Sequence, residues 1–294
     1  MKKPFFSTML ILTLSFPSFS QGIYLRAGGG YGLPIATGSL GEKLLRTSVS
    51  DANSTVNTNS LEAVKGSFGA GMNFNFAVGY KFNENFIFEL NTQYLLGRKY
   101  TESDNYSSTS PGSSYVDNDN IVTSAKALLL NPSFVFSAGF GKAAPYGRFG
   151  VVLGSPKVTG VESIYDDGDG ISTRDLKWEY SKGFSIGFQG AIGMNWELSE
   201  KLDIFTELNY LSMTYYPGEY NLVQDISQYD TSPPSDNLPN MYVWNKKTVY
   251  EKKFDPNTAN VDMAQPQTAL PESFPFSAIS VQIGIRFSIW NKSE

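Results

Sequence analysis

The sequence predicts an all-β fold: an eight-stranded antiparallel up-and-down transmembrane β-barrel with long extracellular loops. Three observations carry this. Apolar and polar residues alternate strictly through eight segments, the period of a strand whose two faces meet unlike surroundings. The polar face of those segments is built from Gly, Ser, Ala, Asn and Gln rather than from long charged side chains, which suits a confined interior and places the bulky apolar face against lipid. The links between segments alternate short and long, as in barrels with tight turns at one membrane surface and large loops at the other.

Taken in order, the chain opens with Lys2 and Lys3, an apolar stretch from Phe5 to Phe16, and Ser18 and Ser20 at the small-residue positions of a cleavage site. Residues 1–20 are therefore expected to be a secretory signal peptide. Pro17 ends the apolar stretch short of the roughly 18 residues that a membrane anchor needs. Residues 21–294 are then assigned to the barrel. Its strands are predicted near Ile23 to Leu33, Ser67 to Tyr80, Asn85 to Gly97, Ile121 to Phe140, Pro145 to Gly154, Lys182 to Trp196, Leu202 to Thr214 and Ser277 to Trp290. The long connections, about 34–66, 98–120, 155–181 and 215–276, are read as outer loops, which puts both termini in the periplasm.

The face contrast is clearest in the second segment, where Phe68, Ala70, Met72, Phe74, Phe76, Val78 and Tyr80 oppose Ser67, Gly69, Gly71, Asn73, Asn75, Ala77 and Gly79. Phe184, Ile186 and Phe188 against Ser185, Gly187 and Gln189 repeat it, as do Ile279, Val281, Ile283 and Ile285 against Ser280, Gln282, Gly284 and Arg286. The fourth segment departs from the pattern, because Lys126 shares parity with Leu128, Leu130, Phe134 and Phe136. Either Lys126 snorkels at the outer rim or a bulge near Asn131 and Pro132 switches the face; the bulge is preferred, since proline cannot donate a ladder bond. Aromatic girdles are expected at the two interfaces, with Tyr80, Phe82, Phe86, Phe140, Tyr146, Trp196 and Trp290 at the periplasmic one. Tyr31, Phe68, Tyr94, Tyr100, Phe184, Tyr210 and Tyr215 would form the outer one. Unpaired strand edges are not tolerated in hydrocarbon, so the sheet must close.

Composition removes much chemistry. With no Cys and no His among 294 residues, disulfides, thiolate metal sites, thiol nucleophiles and the commonest general base are all excluded. A formal charge of −5 gives no general attraction to nucleic acid, and no cofactor is expected.

The opening strand GIYLRAGGGYG and the closing strand AISVQIGIRFSIW resemble those of the small eight-stranded outer-membrane barrels of the OmpA, OmpX and OmpW type, the outer membrane protein beta-barrel domain group. That resemblance implies a barrel in the outer membrane of a Gram-negative bacterium, surrounded by outer-membrane lipid and lipopolysaccharide and inserted by the barrel assembly machinery. Trp290 is followed by Asn291 to Glu294, whereas the group's final aromatic is often terminal, and no peptidoglycan-binding domain follows the last strand, so no cell-wall tether is expected. Outer-membrane enzymes of this architecture place His in their catalytic constellations; this chain has none, and it is read as non-enzymatic.

By parity, Arg26, Glu89, Arg148, Glu207 and Arg286 all point into the lumen, each a few residues from the periplasmic end of its strand. They are expected to share one layer, with Asn73, Asn75, Asn91, Gln93, Gln189, Asn209 and Gln282 satisfying leftover donors. A static, ion-paired plug is preferred over a gate. Among the loops, Asp166, Asp167 and Asp169 form an acidic turn that fails the EF-hand spacing, so a solvated turn is favoured over a metal site. Glu102, Asp104, Asp117 and Asp119, with no Lys or Arg between Thr101 and Asn120, are likewise expected to be solvated. RAGGGYG lies on a strand with no following helix and is no phosphate loop. The fourth connection carries Tyr216, Tyr220, Tyr242, Trp244 and Tyr250, read equally as a contact surface and as a cap over the barrel mouth, with MYVWNKKTVYEKKF expected to form a hairpin.

The expected role is a structural and interaction scaffold whose loops meet an extracellular ligand or an outer-membrane partner protein, as an accessory of a larger outer-membrane complex. The alternative is a narrow porin-like channel for small or hydrophobic solutes.

Overall fold

A computed structural model describes residues 22–35, 38–51, 53–138, 142–168, 170–253 and 262–290; the expected signal peptide, Phe140 and Asp169 lie outside these. The strands begin with β1 (Gly22–Pro34), β2 (Gly38–Ser50), β3 (Thr55–Gly66), β4 (Gly71–Lys81), β5 (Phe86–Gly97) and β6 (Tyr100–Ser110). Next come β7 (Ser113–Ser137), β8 (Ala143–Gly154), β9 (Lys157–Asp166), β10 (Ser172–Ser181), β11 (Ser185–Ser199) and β12 (Leu202–Tyr215). The last are β13 (Glu219–Tyr229), β14 (Ser235–Asp236), β15 (Lys247–Tyr250), β16 (Gln267–Ala269), β17 (Phe274–Pro275) and β18 (Ala278–Trp290).

Eight of these close a ring in the order β1, β4, β5, β7, β8, β11, β12, β18 and back to β1, every pairing antiparallel. The fold is therefore all-β, built on a closed eight-stranded antiparallel barrel. Its outer wall is apolar: Phe74 is 53% exposed, Phe188 47% and Ile283 61%, which rules out a common interior packed from these three. The alternate positions Asn75, Gln189 and Gln282 are buried in the lumen. Among the described residues no helix is long and apolar enough to cross a membrane. A closed barrel with an apolar exterior is compatible with an outer-membrane location.

Small lumen residues make room for two tyrosines. A Cβ on Gly79 would sit 2.0 Å from Cζ of Tyr24, and one on Gly193 would sit 2.5 Å from Cζ of Tyr146, so only glycine lets either ring lie against the wall. Parity thus turns Tyr146 inward beside Arg148, and it is buried rather than part of an interfacial girdle.

The second segment begins later than its alternation suggests. Ser67–Ala70 is a turn, and Gly71 takes φ +128°, a left-handed conformation that glycine adopts without strain. This rotation carries Phe68 off the lipid face into the barrel mouth, where it packs with Tyr100, Tyr215 and Phe276. Phe68, Tyr100 and Tyr215 are therefore core residues and not an outer girdle.

The expected bulge in β7 is absent. β7 keeps one register against β5 through Asn131 and Pro132, and against β8 the pairing passes from Leu130↔Leu153 to Ser133↔Gly150 without a shift. The ladder leaves out the pairs at Asn131 and Pro132, next to the missing proline N–H, instead of kinking. Lys126 stays on the exposed face, opposite Leu96 and Lys157 at the rim, where its stem can snorkel.

The first three long connections are mostly sheet, and the fourth is sheet in part. Beyond the barrel, at the end opposite the termini, β3 pairs β2, β2 lies parallel to β6, and β6 pairs the N-terminal half of β7. That half of β7 pairs β9, β9 pairs β10, β10 pairs β13, and β13 carries β14 and β15, with β16 parallel to β15. Over its described residues, 241–253, MYVWNKKTVYEKKF forms no hairpin: Val243–Lys246 is a helical turn, and β15 after it joins β13 and β16. A hairpin would leave Lys247–Tyr250 without these two neighbours.

Candidate functional site

Four of the five predicted lumen charges meet. Arg26 Nη1 is 3.2 Å from Glu89 Oε1, Arg26 Nη2 2.6 Å from Glu207 Oε2, Arg148 Nη1 3.2 Å from Glu89 Oε1 and Arg148 Nη2 2.5 Å from Glu207 Oε1. Each cation touches both anions, so the ring is charge-neutral. All four side chains are at most 4% exposed. Burying such ions is costly unless their remaining valences are met. Two hydroxyls help: Tyr24 donates to Glu89 Oε2 at 2.8 Å and Tyr146 donates to Glu207 Oε2 at 2.8 Å. The Arg26 guanidinium also stacks on the Phe205 ring, 3.8 Å from its centroid.

Arg286 is not in this ring. It sits one level closer to the termini and pairs with Asp203, 2.6 Å from Oδ2. Sequence reasoning missed Asp203, Tyr24, Tyr146 and Phe205. Asp203 and Phe205 share the parity of Glu207, and that is the signal that could have found them.

Above the ring lies an amide layer, with Asn75 donating to Gln282 at 2.8 Å, Asn131 to Gln189 at 2.6 Å and Gln189 to Gln93 at 3.1 Å. Above that is a buried, largely apolar lid of Phe68, Leu95, Tyr100, Leu129, Leu211, Met213, Tyr215 and Phe276. The lid is tethered by backbone: Phe68 N–H donates to Pro275 O at 2.9 Å, and Phe276 N–H donates to Met213 O at 2.8 Å. Tyr100 Oη donates to Ser67 O at 2.8 Å. The lumen is thus filled by polar pairs at one level and by apolar rings at the next.

The predicted contact surface divides. Tyr216 and Tyr242 are exposed, whereas Trp244 is half-buried. Tyr220 and Tyr250 turn toward Tyr180, at ring distances of 5.3 and 6.4 Å, and Tyr250 and Tyr180 both donate to Glu272. The acidic turn is held by backbone amides: Asp166 accepts from Gly168 N–H at 2.8 Å within the turn and Asp167 from Val116 N–H of β7 at 2.5 Å. Among the described residues no group of three or more carboxylates has metal-site geometry.

The second connection differs from its solvated reading. β6 and β7 bring Glu102 and Asp119 to the lining of one small cavity, and β9 places Glu162 against Asp119, none of the three ion-paired among the described residues. Arg174, the cation that acts on Glu162 through space, is held by Asp225 at 2.6 Å. Burial, reinforced by Asp119 and a hydrogen bond between the two carboxyl groups, pushes the Glu162 carboxyl up to about 7. The folded extension therefore holds a proton that the unfolded chain releases near the ordinary value of 4.5. Its stabilising effect is full below the unfolded value and is lost as pH rises through about 7. Amides of β7 and β9 in the extension should accordingly be better protected from hydrogen exchange at pH 5 than at pH 8, after correction for intrinsic rates. Equal protection at both pH values would show that no proton is shared.

Compared with family models and with curated proteins, the chain matches none.

Proposed function

We propose that this chain is a non-enzymatic integral protein of the outer membrane of a Gram-negative bacterium, with its termini in the periplasm and its sheet extension outside the cell. Its role is that of a scaffold, of the kind seen in the small eight-stranded barrels it resembles. The barrel stands in outer-membrane lipid and lipopolysaccharide, delivered by the barrel assembly machinery, and the extension presents a fixed surface to an extracellular ligand or an outer-membrane partner.

One observation carries this reading above that of a porin-like channel: the lumen holds two successive seals, the neutral Arg–Glu ring and the aromatic lid. Ion-paired side chains that each satisfy two partners have little reason to move aside, and a close-packed apolar layer admits no water. The apolar exterior and the closed ladder support membrane insertion, since both leave only hydrocarbon-compatible surface on the wall.

Reconstituted in a planar lipid bilayer, the purified protein should give no discrete openings. Steady single-channel current from the unmodified chain would replace the scaffold reading with the channel.

A further inference from the structure

Directly above the lid is a cavity of about 470 Å³, within the range that holds small organic ligands. Its aromatic side is made by Phe68, Trp178, Tyr180 and Phe274, with Tyr180 and Phe274 at a ring distance of 4.9 Å. Trp178 has its place reserved: a Cβ on Gly160 of the neighbouring strand would lie 2.3 Å from the indole. The opposite side carries Glu102, whose carboxyl lies over Gly41 where any Cβ would come within 2.0 Å of it. Glu272 adds a second carboxylate at the aromatic side.

A smaller cavity of about 150 Å³ adjoins it, sharing Glu102 and Ile121 and lined further by Glu42, Asp104 and Asp119. Arg46 answers Asp104 at 2.9 Å, but Glu102, Asp119 and Glu272 make no ion pair among the described residues. The site thus joins unbalanced negative charge to a set of π-faces and runs from an aromatic cup into an acidic strip. Aromatic faces and carboxylates together favour a cation with an apolar body, since a strongly hydrated metal ion gains little from the rings and a neutral amphiphile gains no charge attraction from the acids.

We propose that this cup binds an elongated aliphatic polyamine. One ammonium sits against Trp178 and Tyr180 with Glu102 as its counter-ion, and the chain extends toward Asp119. The proposal rests on the reading of the extension as a ligand-presenting surface, and it needs no conduction through the barrel.

The test uses the full chain in dodecyl maltoside, titrated with spermidine by calorimetry and tryptophan fluorescence. Heat-modifiable migration on gels confirms that each variant is folded. Expected is saturable one-site binding, weakened about tenfold or more by the isosteric Glu102→Gln and by Trp178→Leu, with magnesium a poor competitor. The idea is overturned if spermidine gives no saturable signal, if folded Trp178→Leu binds as the parent does, or if magnesium displaces spermidine at equal concentration. Bilayer recording keeps the two readings apart: a conducting barrel that binds spermidine through Trp178 and Glu102 sinks the sealed scaffold and leaves this site standing.

Discussion

Replacing Glu207 with alanine is expected to lower the barrel's unfolding free energy by about 3–5 kcal/mol, the cost of leaving buried cations without a partner. Glu207 accepts from Arg26, Arg148 and Tyr146, so one substitution breaks two ion pairs and leaves the Tyr146 hydroxyl proton without its acceptor. Glu89 cannot compensate, because each arginine already spends its other nitrogen on it. Urea titration of the folded, heat-modifiable form in lipid vesicles measures the effect. The control is Asp203→Ala, which frees Arg286 at a level where both side chains keep some contact with water and should cost only about 1–2 kcal/mol. Equal losses at the two positions would show that the ring is not a special layer.

The second large effect concerns the seals. Phe68→Ala should cost about 3–5 kcal/mol, the usual range for emptying a buried phenylalanine site, because its ring contacts Tyr100, Phe274 and Phe276 and can be replaced by none of them. It should also join the cavity above the lid to the amide layer, yet the protein should stay silent in a bilayer, since the Arg–Glu ring still blocks the path. Adding Arg148→Ser and Glu207→Ser together removes one ion of each sign and keeps the ring neutral. That triple variant is expected to give discrete openings. Silence from a folded triple variant, or current from Phe68→Ala alone, would refute the two-seal arrangement.

The barrel was legible because its eight strands carry a strong contrast between a bulky face and a small one, and the observed bounds depart from the expected ones by only a few residues at most ends. Parity likewise placed Arg26, Glu89, Arg148 and Glu207 in the lumen, because in a strand it has only two outcomes. The extension was not legible for the same physical reason in reverse. β3 and the outer half of β7 are rich in Asn, Ser, Thr and Asp, and a sheet wetted on both faces has no period to detect. Phe68 was misread because the half-turn introduced at Gly71 breaks parity without leaving a signal in residue type. The side-chain contact of Asp119 with Glu162 joins two separate connections, and only the pairing of β7 with β9 brings them together.

β7 runs unbroken for 25 residues from the far tip of the extension to the opposite rim of the barrel. At about 3.3 Å per residue it is roughly 80 Å of continuous backbone. A head carried on such a beam cannot swivel as one on a flexible tether does. Its tilt is inherited from the pitch of the barrel wall, so the tip keeps one position relative to the barrel. Antibodies or binding proteins raised against that tip should therefore meet a single geometry, with cross-linking distances between tip and barrel within one molecule that are narrow rather than broad.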